Sequence, residues 1–162
     1  MRLFNFLKKN KTRKDKINPD YLIFGVFFSD SYSPYNIFKL TKDKLFVDRK
    51  GTWHSERFTK KGYVFEGELL DESKFVIAKE LLFEIPLGFL NHKWKSFYTT
   101  GNKNEDLLII QFGEGDSQKS ITIDSYEIET DKLPTDEKNF RLKVESIITK
   151  LNKTTTNNGM QQ

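Results

Sequence analysis

The residues of this chain best suited to chemistry are its two histidines, His54 and His92. Each lies within two residues of a tryptophan, in a segment that is predicted to be a loop. Histidine titrates near neutral pH, so it is the usual general base and a common metal ligand. Together with scattered carboxylates, the pair is compatible with an enzyme or metal site, and equally with ordinary loop positions. The candidate binding residues in these loops are Trp53, His54, His92 and Trp94.

The sequence carries none of the common catalytic motifs. It has no nucleophile elbow, phosphate-binding loop, dinucleotide fingerprint or H-E-x-x-H zinc motif. The absence of cysteine excludes thiol catalysis, Cys-ligated zinc and iron–sulfur clusters. Residues 113–116 are predicted to be a hairpin turn, and residues 102–106 lack the glycine and distal glutamate of a calcium loop. We therefore expect neither a metal nor a cofactor, and a binding protein rather than an enzyme.

A short loop at residues 29–35 presents two tyrosines, Tyr32 and Tyr35, on either side of Pro34 and Ser33. Tyrosine is enriched at protein interfaces because its side chain is large, stiff and amphipathic. The loop is therefore a candidate partner-binding face. The alternative is that one or both rings fold back into the core.

Positive charge is concentrated in residues 1–16, which hold seven basic residues against one acidic residue, a net charge of +6. The whole chain carries +4, so the other 146 residues sum to −2. A small apolar group, Leu3, Phe4, Phe6 and Leu7, precedes the basic run, an arrangement typical of reversible contact with anionic membranes. A solubilising segment is the alternative. The candidate contact residues are Phe4, Phe6, Lys8, Lys9, Lys11, Arg13, Lys14 and Lys16.

The charge distribution also bears on the kind of partner. The chain has 22 lysines but only five arginines, and arginine is the usual reader of phosphates and base edges. Nucleic acid is therefore not the expected partner. The slightly acidic body favours a basic protein partner, which complementary charge would steer toward it.

The elements that position these residues are predicted from apolar periodicity and turn residues. Residues 21–28 form a continuous apolar run that predicts a strand buried on both faces. Hairpins are predicted around residues 41–43 and 113–116, whereas residues 50–61 are polar and predicted to be irregular. The predicted strands are residues 21–28, 35–40, 44–49, 62–70, 106–112 and 118–124.

Two helices are predicted, from about residue 72 to 84 and from about 136 to 152. Asp71 is the expected N-cap of the first helix and Pro86 ends it; Thr135 is the expected cap of the second. The acidic residues Asp136 and Glu137 are expected to be solvated at a helix N-terminus. The apolar stripes are Phe75, Ala78, Leu81, Leu82 and Ile85 in the first helix, and Phe140, Val144, Ile147, Ile148 and Leu151 in the second.

The order β-β-β-β-α-β-β-α predicts an α+β fold, with an antiparallel sheet built from hairpins and two helices packed on one face. The predicted organisation is a basic arm at residues 1–18, one domain at 19–152 and a polar tail at 153–162. No apolar run is long enough for a transmembrane segment. We expect a cytoplasmic protein, with the inner membrane surface as the alternative location if the arm acts as a tether.

In this order, several segments resemble a group of small uncharacterised bacterial α+β proteins. They are the hairpin at residues 38–48, the helix that ends with 78–86, the hairpin closing at 121–124 and the Pro-led final helix. The resemblance covers about residues 21–152 and implies this fold class. No activity is assigned to the group, so no site residue follows from it. The opening, residues 1–9, is similar to that of small cytosolic bacterial proteins, some of which are immunity partners of toxins.

These observations favour a non-catalytic domain that binds another protein through its surface, in the manner of an immunity protein. The first alternative is an enzyme or metal site that uses the loop histidines with carboxylates. The second is a peripheral membrane protein tethered by its basic arm.

Overall fold

A computed structural model of the chain describes residues 16–27, 36–49, 58–59, 62–91, 107–114, 117–124 and 133–156. The predicted α+β class is confirmed. In chain order the elements are β1 (Tyr21–Phe27), β2 (Ile37–Thr41), β3 (Leu45–Asp48), β4 (Phe58–Thr59), β5 (Gly62–Tyr63), β6 (Glu68–Leu69), α1 (Glu72–Ala78), two 3₁₀ helices (Lys79–Phe83 and Leu87–Asn91), β7 (Leu107–Glu114), β8 (Ser117–Asp124) and α2 (Thr135–Thr156).

A six-stranded antiparallel sheet, in the order β6-β3-β2-β1-β7-β8, forms the body of the described ranges. β1 pairs with β2 on one side and with β7 on the other, so that Leu22 lies between Leu40 and Phe112. The hairpin predicted around residues 41–43 is present, and the Thr41 N–H donates to the Lys44 carbonyl at 2.8 Å to close its turn. In the second hairpin, Glu114 pairs with Ser117.

Both helical segments pack on one face of this sheet, as predicted. Alternate residues of the strands point toward the helices because strand side chains change face at every residue. Aromatic rings pack within each layer. Phe24 stacks on Phe38 in the sheet, with 5.5 Å between the ring centroids, and Phe89 meets Phe140 edge to face in the helical layer, with 5.7 Å between the centroids. The helices contribute Ala78, Leu81, Leu82, Ile85, Phe89, Phe140, Val144, Ile147, Ile148 and Leu151 to this core.

The opposite face of the sheet is covered by a second, two-stranded sheet formed by β4 and β5. Tyr63 of β5 packs over Ile23, Ile37 and Ile109 of the main sheet. β1 is therefore buried on both faces, as its continuous apolar run predicts. The strand β4 lies within residues 50–61, which the sequence predicts to be irregular, so that prediction is wrong for Phe58–Thr59.

The single strand predicted at residues 62–70 is instead two short strands in different sheets, β5 and β6. Two glycines explain the break. Gly62 has a φ of 130°, which other residues rarely adopt. At Gly67, an added Cβ would lie 2.5 Å from the Val47 carbonyl oxygen, so only glycine permits this approach to β3. Residues 64–67 thus lead the chain from the face of the sheet to its edge.

The first predicted helix changes its winding part-way. It is α-helical over Glu72–Ala78 and 3₁₀-helical over Lys79–Phe83, before Pro86, which cannot continue a helix. A 3₁₀ turn holds three residues, so residues three apart still share a face. Ala78 with Leu81, and Leu82 with Ile85, accordingly remain buried.

The second predicted helix is confirmed and extends to Thr156. Its start differs in detail, since the Lys138 N–H donates to the Pro134 carbonyl and Thr135 is already helical. None of the helices in the described ranges has the length and apolar character of a membrane span.

Before β1, the chain is attached to the body at residues 16 and 17. The Ile17 N–H donates to the Ile85 carbonyl at 2.9 Å, and Lys16 forms an isolated antiparallel bridge with Pro86. Ile17 is buried in the helix-side core. The domain boundaries at residues 18 and 152 stay a prediction, but the last two residues of the proposed arm before Asn18 contact the domain.

Val144→Asp is expected to lower the free energy of unfolding by about 3–5 kcal/mol, because it places an unpaired carboxylate in the core between α2 and the sheet. Chemical denaturation followed by circular dichroism measures this loss. The matched control is Leu142→Asp, because Leu142 is 50% exposed on the solvent side of the same helix. Equal stability of the two variants would contradict the orientation of α2.

The N-cap of α1 predicts a pH dependence. The Asp71 carboxylate accepts hydrogen bonds from the Ser73 hydroxyl and the Lys74 N–H, and these hold the pKa of Asp71 below its usual value, with Ser73 contributing most. A pKa lowered by folding stabilises the native state above the unfolded pKa, and this contribution is lost as the pH falls through the folded pKa. Asp71→Asn should therefore be less stable than wild type at pH 7, and the difference should be smaller at pH 2. A difference in melting temperature that is the same at both pH values would contradict this role.

Candidate functional site

Most of the predicted site residues lie outside the described residues. These are the loop residues Tyr32, Tyr35, Trp53, His54, His92 and Trp94, and the arm residues Phe4, Phe6, Lys8, Lys9, Lys11, Arg13 and Lys14. Their roles stay predictions, including the enzyme or metal site that depends on the two histidines. Lys16 is described, and it is partly buried beside Pro86. Within the described ranges, no group of three or more acidic or histidine side chains is placed to hold a metal ion.

One polar cluster lies on the face of the sheet that β5 covers. The Gln111 side chain lies alongside the backbone of Tyr63: its Oε1 accepts from the Tyr63 N–H at 2.8 Å, and its Nε2 donates to the Tyr63 carbonyl at 3.1 Å. The amide thus pairs with a backbone as a neighbouring strand would. Gln111 is buried on β7, so this pair of hydrogen bonds fixes β5 to the sheet.

Asp48 completes the attachment at the end of β3. Its buried carboxylate accepts from the Tyr63 hydroxyl at 2.8 Å and from the Glu66 N–H at 3.1 Å. Buried carboxylates are tolerated when hydrogen bonds satisfy them. The polar atoms of this cluster are therefore used to hold the segment from Tyr63 to Glu66, and we assign the cluster a structural role.

Tyr21 lies at the margin of the same face. Burial raises the pKa of the Tyr21 phenol, while a hydrogen bond with Gln111 acts in the opposite direction. The Lys39 ammonium lies 5.1 Å from the centroid of the ring, within the range of a cation–π contact. A phenol with a raised pKa stays protonated near neutral pH, so this residue is suited to packing rather than to proton transfer.

An open cleft of about 650 Å³ lies on the other side of the molecule, between the second 3₁₀ helix and the start of α2. Its floor and walls combine prolines and Leu87 with polar groups. Among its described lining residues, two are acidic and none is basic. The lining residues are Pro86, Leu87, Gly88, Asn91, Pro134, Asp136 and Glu137.

The two carboxylates of the cleft differ in environment. Asp136 is exposed, as predicted, but Glu137 is only 4% exposed, so the prediction of a solvated surface is wrong for Glu137. Glu137 lies against Gly88, where any larger residue would collide with its carboxylate. Both carboxylates are in the first turn of α2, where the helix dipole stabilises negative charge. The cleft is thus built to hold negative charge and is suited to a cationic group.

The chain segment that supplies one wall of this cleft carries exposed large apolar side chains. Phe83, Leu87 and Leu90 lie within one eight-residue segment and are 52%, 39% and 50% exposed. We call them the apolar strip. Their neighbours Leu82, Ile85 and Phe89 are buried in the core, so the segment is anchored while the strip faces outward. Exposed large apolar groups on one short, anchored segment are candidates for a protein-binding surface.

Two acidic residues on either side of Phe83 in the chain pair with α2. Lys143 of α2 contacts Glu84 at 2.7 Å and Glu80 at 3.5 Å, so one ammonium faces two carboxylates. These side chains are partly exposed, and such ion pairs contribute little to stability. Their net charge is negative, as is that of the cleft.

Sequence reasoning places Phe75, Ala78, Leu81, Leu82 and Ile85 correctly but does not find the cleft. The signal that the sequence does offer is the spacing of Glu137 and Arg141. They lie four residues apart on the face of the apolar stripe of α2, and both are buried. Arg141 donates to Glu145 at 3.0 Å, and its Nε has no hydrogen-bond partner in the part of the chain that is described.

Comparison with known proteins gives no relative. The chain matches no protein-family model, and searches of the curated proteins and of the solved structures give no significant match. The cleft and the apolar strip are therefore the features of the described residues that bear on function.

Gln111→Met tests the structural role of the polar cluster. Methionine has a similar size but cannot pair with the Tyr63 backbone, so we expect a loss of about 2 kcal/mol. In the variant, the Tyr63 amide should exchange faster than in wild type. The amides that pair β1 with β2 should slow down or speed up only as much as the change in the global free energy of unfolding requires. Unchanged exchange at Tyr63 would show that Gln111 does not hold β5.

Proposed function

We propose that this domain binds a protein partner through the apolar strip and the acidic cleft beside it. The observation that carries the proposal is the outward display of Phe83, Leu87 and Leu90 from a segment whose other large residues are buried. Leu87 also lines the cleft, so the two features form one surface. A buried apolar centre with a polar rim is the usual construction of a protein interface.

The charges of this surface favour a basic partner. Asp136 and Glu137 line the cleft, and the neighbouring Glu80 and Glu84 exceed the single Lys143 that they contact. A lysine or arginine of the partner would find carboxylates in the cleft and apolar contact along its walls. An arginine is best suited because its planar group can both pair with a carboxylate and stack on an aromatic ring such as Phe83.

An immunity-type role is one form of this function. Such a protein covers a functional surface of its partner, and it needs an exposed, anchored binding face rather than a catalytic centre. The similarity of residues 1–9 to the start of immunity-type proteins supports this form of the proposal, and the described surface is compatible with it.

Phe83→Ser should weaken partner binding about tenfold or more, since truncation of a central aromatic residue commonly costs 2 kcal/mol or more. The partner is first captured in source cells by a photo-reactive residue at position 90 of the full-length chain, then purified. Titration calorimetry compares its binding to wild type and variants. The control is Leu142→Ser, because Leu142 is as exposed as Phe83 but lies on the solvent side of α2.

The control variant should bind the purified partner with wild-type affinity. A partner that binds wild type and Phe83→Ser equally well would show that the apolar strip is not the interface. Thermal melts of both variants establish that the measured difference is one of binding.

A further inference from the structure

We propose that the charged part of the basic arm, residues 1–16, folds back onto the apolar strip and acidic cleft of its own chain and competes there with the partner. The inference rests on the proposed binding surface and adds a regulator to it. The arm is a pseudo-ligand in this view: it offers the same cationic and apolar chemistry as the partner.

The path of the chain brings the arm to the cleft. Ile17 is hydrogen-bonded to Ile85, and Lys16 is bridged to Pro86, which is itself a lining residue of the cleft. An extended chain advances at most about 3.3–3.6 Å per residue. The chain from Lys16 back to Arg13 can therefore span at most about 11 Å, which limits how far Arg13 and Lys14 can lie from the bridge to Pro86.

The charges of arm and cleft are complementary. Residues 1–16 carry +6, whereas the described lining of the cleft contributes two carboxylates and no basic group. The tether makes this pairing intramolecular, and short tethers give effective concentrations in the millimolar range. Even weak individual contacts are then sufficient to keep the cleft occupied at low salt.

The apolar part of the arm matches the apolar strip. Leu3, Phe4, Phe6 and Leu7 come directly before the basic run, and Leu87 of the apolar strip lies in the wall of the acidic cleft. From Lys16 back to Leu7 is nine residues, which span up to about 30 Å when extended. Because Leu87 lies in the cleft wall, the apolar group of the arm can reach the strip while the basic run lies along the cleft.

A spin label tests this contact in the full-length protein. The chain has no cysteine, so Asn10→Cys gives a single attachment point within the basic run. At low salt, the label should broaden the amide resonances of Gly88, Asn91 and Asp136. The broadening should fall at about 0.5 M salt to the level that the tether alone produces, because the Debye length is then a few ångströms.

Charge reversal in the cleft provides the specific control. Asp136→Lys in the labelled protein should reduce the broadening to its high-salt level, whereas Asp43→Lys, the same charge change at the exposed turn of the β2–β3 hairpin, should preserve the low-salt broadening. Broadening that is no stronger at low salt than at about 0.5 M salt would overturn the proposal, even if the arm binds vesicles of anionic lipid. Broadening seen only on isotope-labelled protein mixed with spin-labelled protein would overturn it too, because the arm would then bind a second copy.

Partner affinity gives the functional readout and separates the two proposals. With Lys8, Lys9 and Lys11 replaced by Gln, the purified partner should bind about tenfold more tightly if the arm fills about nine-tenths of the clefts. No change in affinity, with Phe83→Ser still weakening the partner, would overturn the arm inference and leave the proposed function standing. If the labelled arm broadens the cleft resonances but the partner binds Phe83→Ser as tightly as wild type, the proposed function alone is overturned.

Discussion

The double-sided burial of β1 constrains nearly everything else in this structure. Its residues alternate between the two faces, and Leu22, Ile23 and Phe24 are all buried. A strand of this kind cannot leave either face in water without a large hydrophobic penalty, on the order of 2 kcal/mol for each exposed large side chain. The chain therefore has to cover both faces of the sheet, and it uses different chemistry for each.

The helix side is covered by apolar packing, and the other side by a short segment that depends on polar contacts. α2 and the α1 segment together provide enough apolar surface to cover one face. β4 and β5 are two residues each, too short to attach by apolar contact alone, so Gln111 and Asp48 supply hydrogen bonds inside the covered area. Because a buried polar group is costly unless it is paired, these contacts also fix the position of Tyr63.

The same constraint generates the proposed binding surface. Covering the helix-side face requires Leu82, Ile85 and Phe89 to point inward from a segment that Pro86 interrupts. A tight 3₁₀ winding cannot bury all its large residues on one side, so Phe83, Leu87 and Leu90 are left outward. The segment then meets the first turn of α2, where helix geometry favours acidic residues. The exposed apolar side chains and the acidic cleft are thus a consequence of how this face is closed, and the proposed basic partner would bind there.

The sequence by itself determined the local and periodic features: the buried run of β1, the hairpin turns, the N-cap Asp71 and the apolar stripes of both helices. These depend on residues close together in the chain, whose spacing can be read directly. Only the tertiary structure decided that residues 62–70 divide between two sheets, that Gln111 pairs with Tyr63, and that Glu137 is buried against Gly88. Each of these joins residues some 20 to 49 positions apart or depends on a close approach between backbones, and side-chain periodicity carries no information about such contacts.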